Sequence, residues 1–74
     1  MKILLLGLGI SNKAIEKYMQ KHNINYVTYD DSFFRQDINL NGIDLIIKSS
    51  GVKNSHFLLQ NNILKITDLE YFYN

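Results

Sequence analysis

The stretch LLLGLGISNKAIEKYM, residues 4–19, decides the fold. An apolar run ends at Gly7, a second glycine follows at Gly9, and an amphipathic pattern begins directly afterwards. This order predicts a buried strand, a tight turn and a helix, the arrangement that surrounds a phosphate in dinucleotide-binding domains. The third glycine of that fingerprint would stand where this chain has Asn12. The turn therefore holds a dinucleotide, holds another phosphate, or only connects a strand to a helix.

Length and composition narrow the class of protein. Seventy-four residues predict one domain, residues 1–74. Eight basic and seven acidic side chains are spread along the chain without a run, which argues against nucleic acid as a partner. The chain has no cysteine, and neither His22 nor His56 has neighbouring ligands at metal-site spacing, so we predict no metal site. The apolar runs are too short to span a bilayer, and no cleavage site follows the first one, so we expect a cytoplasmic protein without a membrane partner.

The remaining pattern predicts an α/β fold. Apolar or β-branched runs predict strands at residues 2–6, 25–30, 43–47 and 63–67. Between them, the pattern predicts a short helix at residues 54–62 and a loop at residues 31–42. Strands separated by helical segments imply right-handed crossovers and parallel pairing. We therefore expect a Rossmann-like three-layer domain with a four- to five-stranded parallel sheet and the first strand inside it.

Helix boundaries are also marked in the sequence. The first helix should run from Ser11 to about His22, with Ser11 or Asn12 as its N-cap. Its apolar face should consist of Ala14, Ile15, Tyr18 and Met19, with Tyr18 and Met19 in the core. Asn23 suits the C-terminal end because asparagine tolerates the left-handed conformation. Near the end of the chain, Thr67 and Glu70 have the spacing of a capping box, which predicts a helix starting near Asp68.

Three turns leave the predicted strands at the same edge of the sheet, where parallel sheets bind ligands. They are residues 7–11, 30–32 and 49–51. Asp30 occupies the position of a ribose-binding acid, but Asp30, Asp31 and Ser32 could equally be turn formers that bond their own backbone. Lys48 is expected to be a solvated side chain. No paired nucleophile and base, no ATP loop and no carboxylate cluster is visible, so we predict no catalytic residue.

GLGIS after the first strand, SSGV after the third and ITDLEYFY at the end together resemble the N-terminal domain of the Mur ligases. The branch that adds D-glutamate to UDP-N-acetylmuramoyl-L-alanine is the most similar, with its GLG turn, its SPG turn and its D-x-E-x-F segment. The resemblance implies a domain that anchors the UDP end of a UDP-sugar substrate and does not bind NAD. ATP and Mg²⁺ would act in a separate ATPase domain, which is the implied partner.

The resemblance also implies the binding residues. The amides of Ile10 and Ser11 would face the diphosphate or uridine, residues 30–32 would border the uracil, and Ser49 and Gly51 would line the other side. The implied set is Gly7, Gly9, Ile10, Ser11, Asp30, Asp31, Ser32, Ser49 and Gly51. Two positions depart from the family, since Ser50 replaces the proline of SPG and Ser32 stands where some members have an arginine.

Two other functions remain open at the sequence level. One is an NAD- or FAD-type dinucleotide-binding domain of an oxidoreductase or transport regulator, which would depend on Asp30. The other is a non-enzymatic interaction module. Because the segment from Leu69 to Tyr73 carries more apolar surface than one helical stripe can bury, we expect Phe72 or Tyr73 to be exposed or to lie in an intermolecular contact.

Overall fold

The computed structural model describes residues 1–32 and 38–72. This part of the chain forms a four-stranded parallel sheet with helices, which confirms an α/β fold. The order is β1 (Ile3–Leu6), α1 (Ile10–Lys21), β2 (Tyr26–Tyr29), β3 (Leu45–Lys48), a 3-10 turn (Phe57–Leu59), β4 (Leu64–Thr67) and α2 (Asp68–Phe72). The described part of the predicted loop, residues 31–32 and 38–42, contains no strand or helix, and residues 33–37 lie outside the described residues.

The four strands form one parallel sheet in the order β2-β1-β3-β4. The first strand is internal, as predicted. Leu6 pairs with Tyr29 on one side and with Lys48 on the other, and Lys48 pairs in turn with Thr67. The last residues of all four strands therefore lie in one row, and the segments that follow them leave from the same edge of the sheet.

One face of the sheet is covered by α1 and α2. Ile15 and Met19 lie one helical turn apart, and both are fully buried against strand residues of this face: Ile3, Leu5, Leu45 and Ile47. Tyr71 of α2 packs against the same cluster. The prediction that Tyr18 belongs to the core is wrong, because Tyr18 lies at the flank of α1 and is 49% exposed. Its ring contacts those of His22 and Tyr71.

The other face is covered by irregular chain and the 3-10 turn. Leu58 and Leu59 pack on the strand residues Leu4, Leu6 and Ile46. The prediction of a helix over residues 54–62 is wrong beyond these three residues. Side-chain amides there bond to local carbonyls: Gln60 Nε2 donates to Asn54 O over 3.1 Å and Asn61 Nδ2 to Leu58 O over 2.8 Å. Such bonds give the backbone an alternative to a helix.

The sequence contains four signals for helix ends, of which the structure confirms three. His22 is the C-cap of α1, and Asn23 follows it in the left-handed conformation with φ 56°. At the start of α2, Thr67 N donates to Glu70 Oε1 over 3.0 Å and Glu70 N to Thr67 Oγ1 over 3.2 Å, so the capping box is confirmed. The predicted N-cap of α1 is wrong, because that helix begins one residue earlier, with Gly9 as its cap.

Candidate functional site

The turns after β1 and β3 are in direct contact. Ser49 N donates to Leu6 O over 2.9 Å, which carries the strand pairing into the two turns. A Cβ atom placed on Gly9 would lie 2.8 Å from Ser49 Oγ, and one on Gly7 would lie 2.8 Å from Val52 Cγ2. Gly7 also has φ +84°, a conformation that residues with a side chain rarely adopt. Gly7 is thus required by its backbone conformation and by the packing of the neighbouring turn, whereas a side chain at Gly9 would need Ser49 Oγ to move.

The N-terminus of α1 opens at this edge without a side-chain cap. Gly9 provides no side chain, and the first turn contains no acidic residue. The first amides of any α-helix lack acceptors within the helix, and the helix dipole adds positive potential there. Gly9 and Ile10 are exposed, Ile10 by 91%, and Ser11 is half-buried. No side chain among the described residues caps these first amides, those of Gly9, Ile10 and Ser11.

Asn12 takes the place of the missing glycine with a specific role. Its side chain is fully buried, and Nδ2 donates to Gly7 O over 2.7 Å, to Leu6 O over 3.2 Å and to Ile47 O over 3.4 Å. The side chain thus joins α1 to the ends of β1 and β3. Among the described residues, nothing donates to its Oδ1. Because this role depends on carbonyls at the ends of two strands, no local sequence pattern indicates it.

Asp30 links the second turn to the first. Its Oδ2 accepts the amide hydrogen of Leu8 over 2.8 Å, and its Oδ1 accepts that of Ser32 over 2.9 Å. The amides of Ser32 and Leu8 hold the pKa of Asp30 below its usual value, with smaller contributions from the Ser32 side chain and Lys13. The carboxylate is therefore ionised and oriented by the backbone, as the turn-forming interpretation predicts.

Asp31 is joined to the third turn through His56. His56 Nε2 lies 2.8 Å from Asp31 Oδ1, and His56 Nδ1 accepts the amide hydrogen of Leu58 over 3.2 Å. Since Nδ1 is an acceptor, Nε2 carries the proton and donates it to the carboxylate. Both ring nitrogens are engaged, so His56 has none left to act as a base. Asp31 and Gly51 line a cavity of about 340 Å³ together with Val52, Lys53, Ser55 and His56.

The predicted site residues are therefore brought together at one edge. A Cβ atom on Gly7 or Gly9 would touch Ser49. Asp30 accepts the amide hydrogen of Leu8, which lies between the two glycines. Gly51 lines the same cavity as Asp31. Ser32 is exposed and serves Asp30 through its backbone. Asn12 and His56 are the contributors that the sequence did not indicate.

No group of three His, Cys, Asp or Glu side chains that could hold a metal ion exists within residues 1–32 and 38–72. In the same ranges no helix has the length and apolar character needed to cross a membrane.

Searches against protein-family models, curated proteins and solved structures found no match to this chain.

Proposed function

We propose that the chain is a Rossmann-like domain whose sheet edge binds the UDP end of a UDP-sugar. The observation that carries the proposal is the uncapped N-terminus of α1, which opens where the turns after β1 and β3 touch. Backbone amides and the positive end of a helix dipole favour a phosphate at such a position. No acidic residue of the first turn compensates this potential, and the nearby Asp30 carboxylate is bound to the Leu8 amide before the helix begins.

The geometry favours amides beyond Leu8 as the diphosphate donors. The Leu8 amide already donates to Asp30, so it is engaged within the protein. Gly9, Ile10 and Ser11 then supply the donors, and the Ser11 hydroxyl adds another. The ionised Asp30 would border the nucleoside without lying against the phosphates, since like charges repel.

A nucleotide-sugar diphosphate fits this edge better than NAD does. The third glycine of the dinucleotide fingerprint permits close packing of helix on strand, whereas Asn12 fills that space and bonds the strand carbonyls. Both carboxylate oxygens of Asp30 accept backbone amides, which competes with the ribose contact that the dinucleotide fold requires.

The resemblance extends the proposal to the whole enzyme. The domain would anchor UDP-N-acetylmuramoyl-L-alanine for a cytoplasmic peptidoglycan-precursor ligase that adds D-glutamate with ATP and Mg²⁺. An ATPase domain would be its partner and would carry the ligation. In this proposal the chain's own contribution is to bind and orient the nucleotide.

A titration followed by two-dimensional NMR tests the proposal. UDP and UDP-N-acetylglucosamine should shift the amides of Gly9, Ile10, Ser11, Ser49 and Gly51 in a saturable way, and NAD should not. We expect weak affinity, since a bound nucleotide sugar would contact the other domains as well. Tighter binding of NAD than of UDP would instead support the dinucleotide alternative. The absence of any nucleotide binding, together with a defined oligomer, would support an interaction module.

A further inference from the structure

A second cavity, of about 340 Å³, lies beside the carboxyl-terminal halves of β3 and β4. It is separate from the N-terminus of α1, and no sequence motif pointed to it. Two lysines line it, Lys48 from β3 and Lys65 from β4, together with Asn54, Leu59, Thr67 and Glu70.

The strand register places the polar side chains of this cavity on one face. Lys65 pairs with Ile46, whose side chain belongs to the core under the 3-10 turn, so Lys65 leaves the sheet on that side. Thr67 follows two residues later and pairs with Lys48. Because side chains alternate along a strand and paired residues share a face, the side chains of Lys48, Lys65 and Thr67 leave the sheet on the same side.

Backbone carbonyls hold both ammonium groups in place. Lys48 Nζ donates to Val52 O over 2.8 Å, so the prediction that this side chain is simply solvated is wrong. Lys65 Nζ donates to Asn61 O over 2.7 Å and to Ile63 O over 2.6 Å. An ammonium has three donors, which leaves two on Lys48 and one on Lys65. Within the described residues neither lysine forms an ion pair with a carboxylate.

Thr67 and Glu70 are engaged in the capping box in a way that leaves a donor. The Thr67 hydroxyl oxygen accepts the Glu70 amide hydrogen, so its own hydrogen can still be donated. Glu70 Oε1 accepts the Thr67 amide hydrogen. The residues that line the cavity therefore carry two positive charges and one negative charge, and the Thr67 hydroxyl can still donate.

We infer that this cavity binds a phosphate group, either the free ion or a small phosphate monoester. A phosphate carries up to two negative charges and accepts hydrogen bonds on several oxygens, which suits the positive potential of two lysines and the free hydrogen of the Thr67 hydroxyl. The lysines are already positioned by carbonyls, so ligand binding needs little further ordering of their side chains. Leu59 forms an apolar wall that the organic part of an ester would contact.

NMR titrations at constant ionic strength test this site. Inorganic phosphate and phenyl phosphate should shift the amides of Lys48, Asn54 and Thr67 saturably, while sodium chloride should not. Lys48→Gln and Lys65→Gln should each weaken phosphate binding severalfold, and the double variant at least tenfold. Lys17→Gln, an exposed position on α1, is the matched control and should leave binding unchanged. Stronger binding of phenyl phosphate identifies an ester as the ligand, and equal binding identifies the free ion.

Glu70→Gln tests the same site without changing Lys48 or Lys65, whose ammonium groups donate to backbone carbonyls. The amide oxygen retains an acceptor for the Thr67 amide, and the negative charge is removed, so phosphate should bind severalfold more tightly. The proposal is overturned if phosphate produces no saturable shifts at these amides. It is equally overturned if a folded Lys48→Gln/Lys65→Gln variant binds phosphate as the wild type does, or if Glu70→Gln leaves the affinity unchanged.

Discussion

Leu8 donates its amide hydrogen to Asp30 Oδ2 over 2.8 Å, which fastens the middle of the glycine turn to the end of β2. The second oxygen of the same carboxylate accepts the Ser32 amide. One side chain thus fixes the relative position of two of the three turns at the candidate site. Asp30 is therefore both a structural residue and a border of the proposed nucleotide site.

Asp30→Asn should lower the free energy of unfolding at neutral pH by about 1–2 kcal/mol, because the charge-assisted hydrogen bonds to two amides are weakened. The folded-state pKa of Asp30 is depressed, so its contribution is fully present above the unfolded value, near 3.9, and is lost as pH falls through the folded pKa. Urea unfolding of both proteins from pH 7 downwards measures this. A difference between them that grows as the pH is lowered would contradict the assignment.

Asn12→Gly, which restores the dinucleotide fingerprint, should destabilise the chain. The substitution removes the side-chain donor to the Gly7, Leu6 and Ile47 carbonyls and adds the cost of glycine in a helix. The control is Ala14→Gly, at an exposed position of the same helix, which should cost about 1 kcal/mol. We expect Asn12→Gly to cost about 1–2 kcal/mol more than the control in urea unfolding. Equal effects of the two substitutions would show that the buried hydrogen bonds contribute nothing.

Alanine substitutions at three glycines should rank according to the space around each. Gly7→Ala should cost at least about 2 kcal/mol, because φ is +84° and the new methyl group meets Val52 Cγ2 at 2.8 Å. Gly9→Ala meets only Ser49 Oγ, which can rotate away, so about 1 kcal/mol is expected. Gly51→Ala has no atom within 4 Å and should be nearly neutral. Adding Ser49→Gly should restore Gly9→Ala, and thermal unfolding of the set, including Ser49→Gly alone, checks both the order and the rescue.

His56 should matter more for stability than its partner Asp31. His56→Ala removes the acceptor for the Leu58 amide and the stacked contact with Phe57, so about 1–2 kcal/mol should be lost. Asp31→Asn affects a side chain that is 72% exposed, and surface pairs contribute about 0–1 kcal/mol. Chemical denaturation of the two variants measures the difference. A larger loss for Asp31→Asn would show that the pair, and not the ring's contact with the 3-10 turn, holds this segment.

The strands could be predicted from the sequence because each is a short apolar or β-branched run with a clear boundary. The central position of β1 followed from its fully apolar side chains, and the capping box identified the start of α2. Phe72 is 52% exposed, as expected for a segment with more apolar surface than one stripe can bury, and Tyr73 lies outside the described residues.

Features that depend on contacts between residues far apart in the sequence could not be predicted. Asparagine is a common N-cap residue, but the Asn12 side chain donates to carbonyls at the ends of two strands, and Gly9 is the cap instead. The segment before β4 has enough leucine and phenylalanine for a helix, yet side-chain amides and Lys65 satisfy its carbonyls in another conformation. The Asp31–His56 contact spans 25 residues and has no local signal.

The most direct test of the proposed UDP site is a single negative charge placed at the N-terminus of α1. Ser11→Asp should stabilise the helix by about 0.3–1 kcal/mol through the dipole. The same carboxylate would repel a diphosphate bound there. Asn62→Asp adds an equal charge at an exposed position before β4, at the opposite end of the sheet. Isothermal titration of UDP should give at least tenfold weaker binding for Ser11→Asp, and unchanged binding for Asn62→Asp. Equal affinity of Ser11→Asp and wild type for UDP would contradict a diphosphate site at this helix.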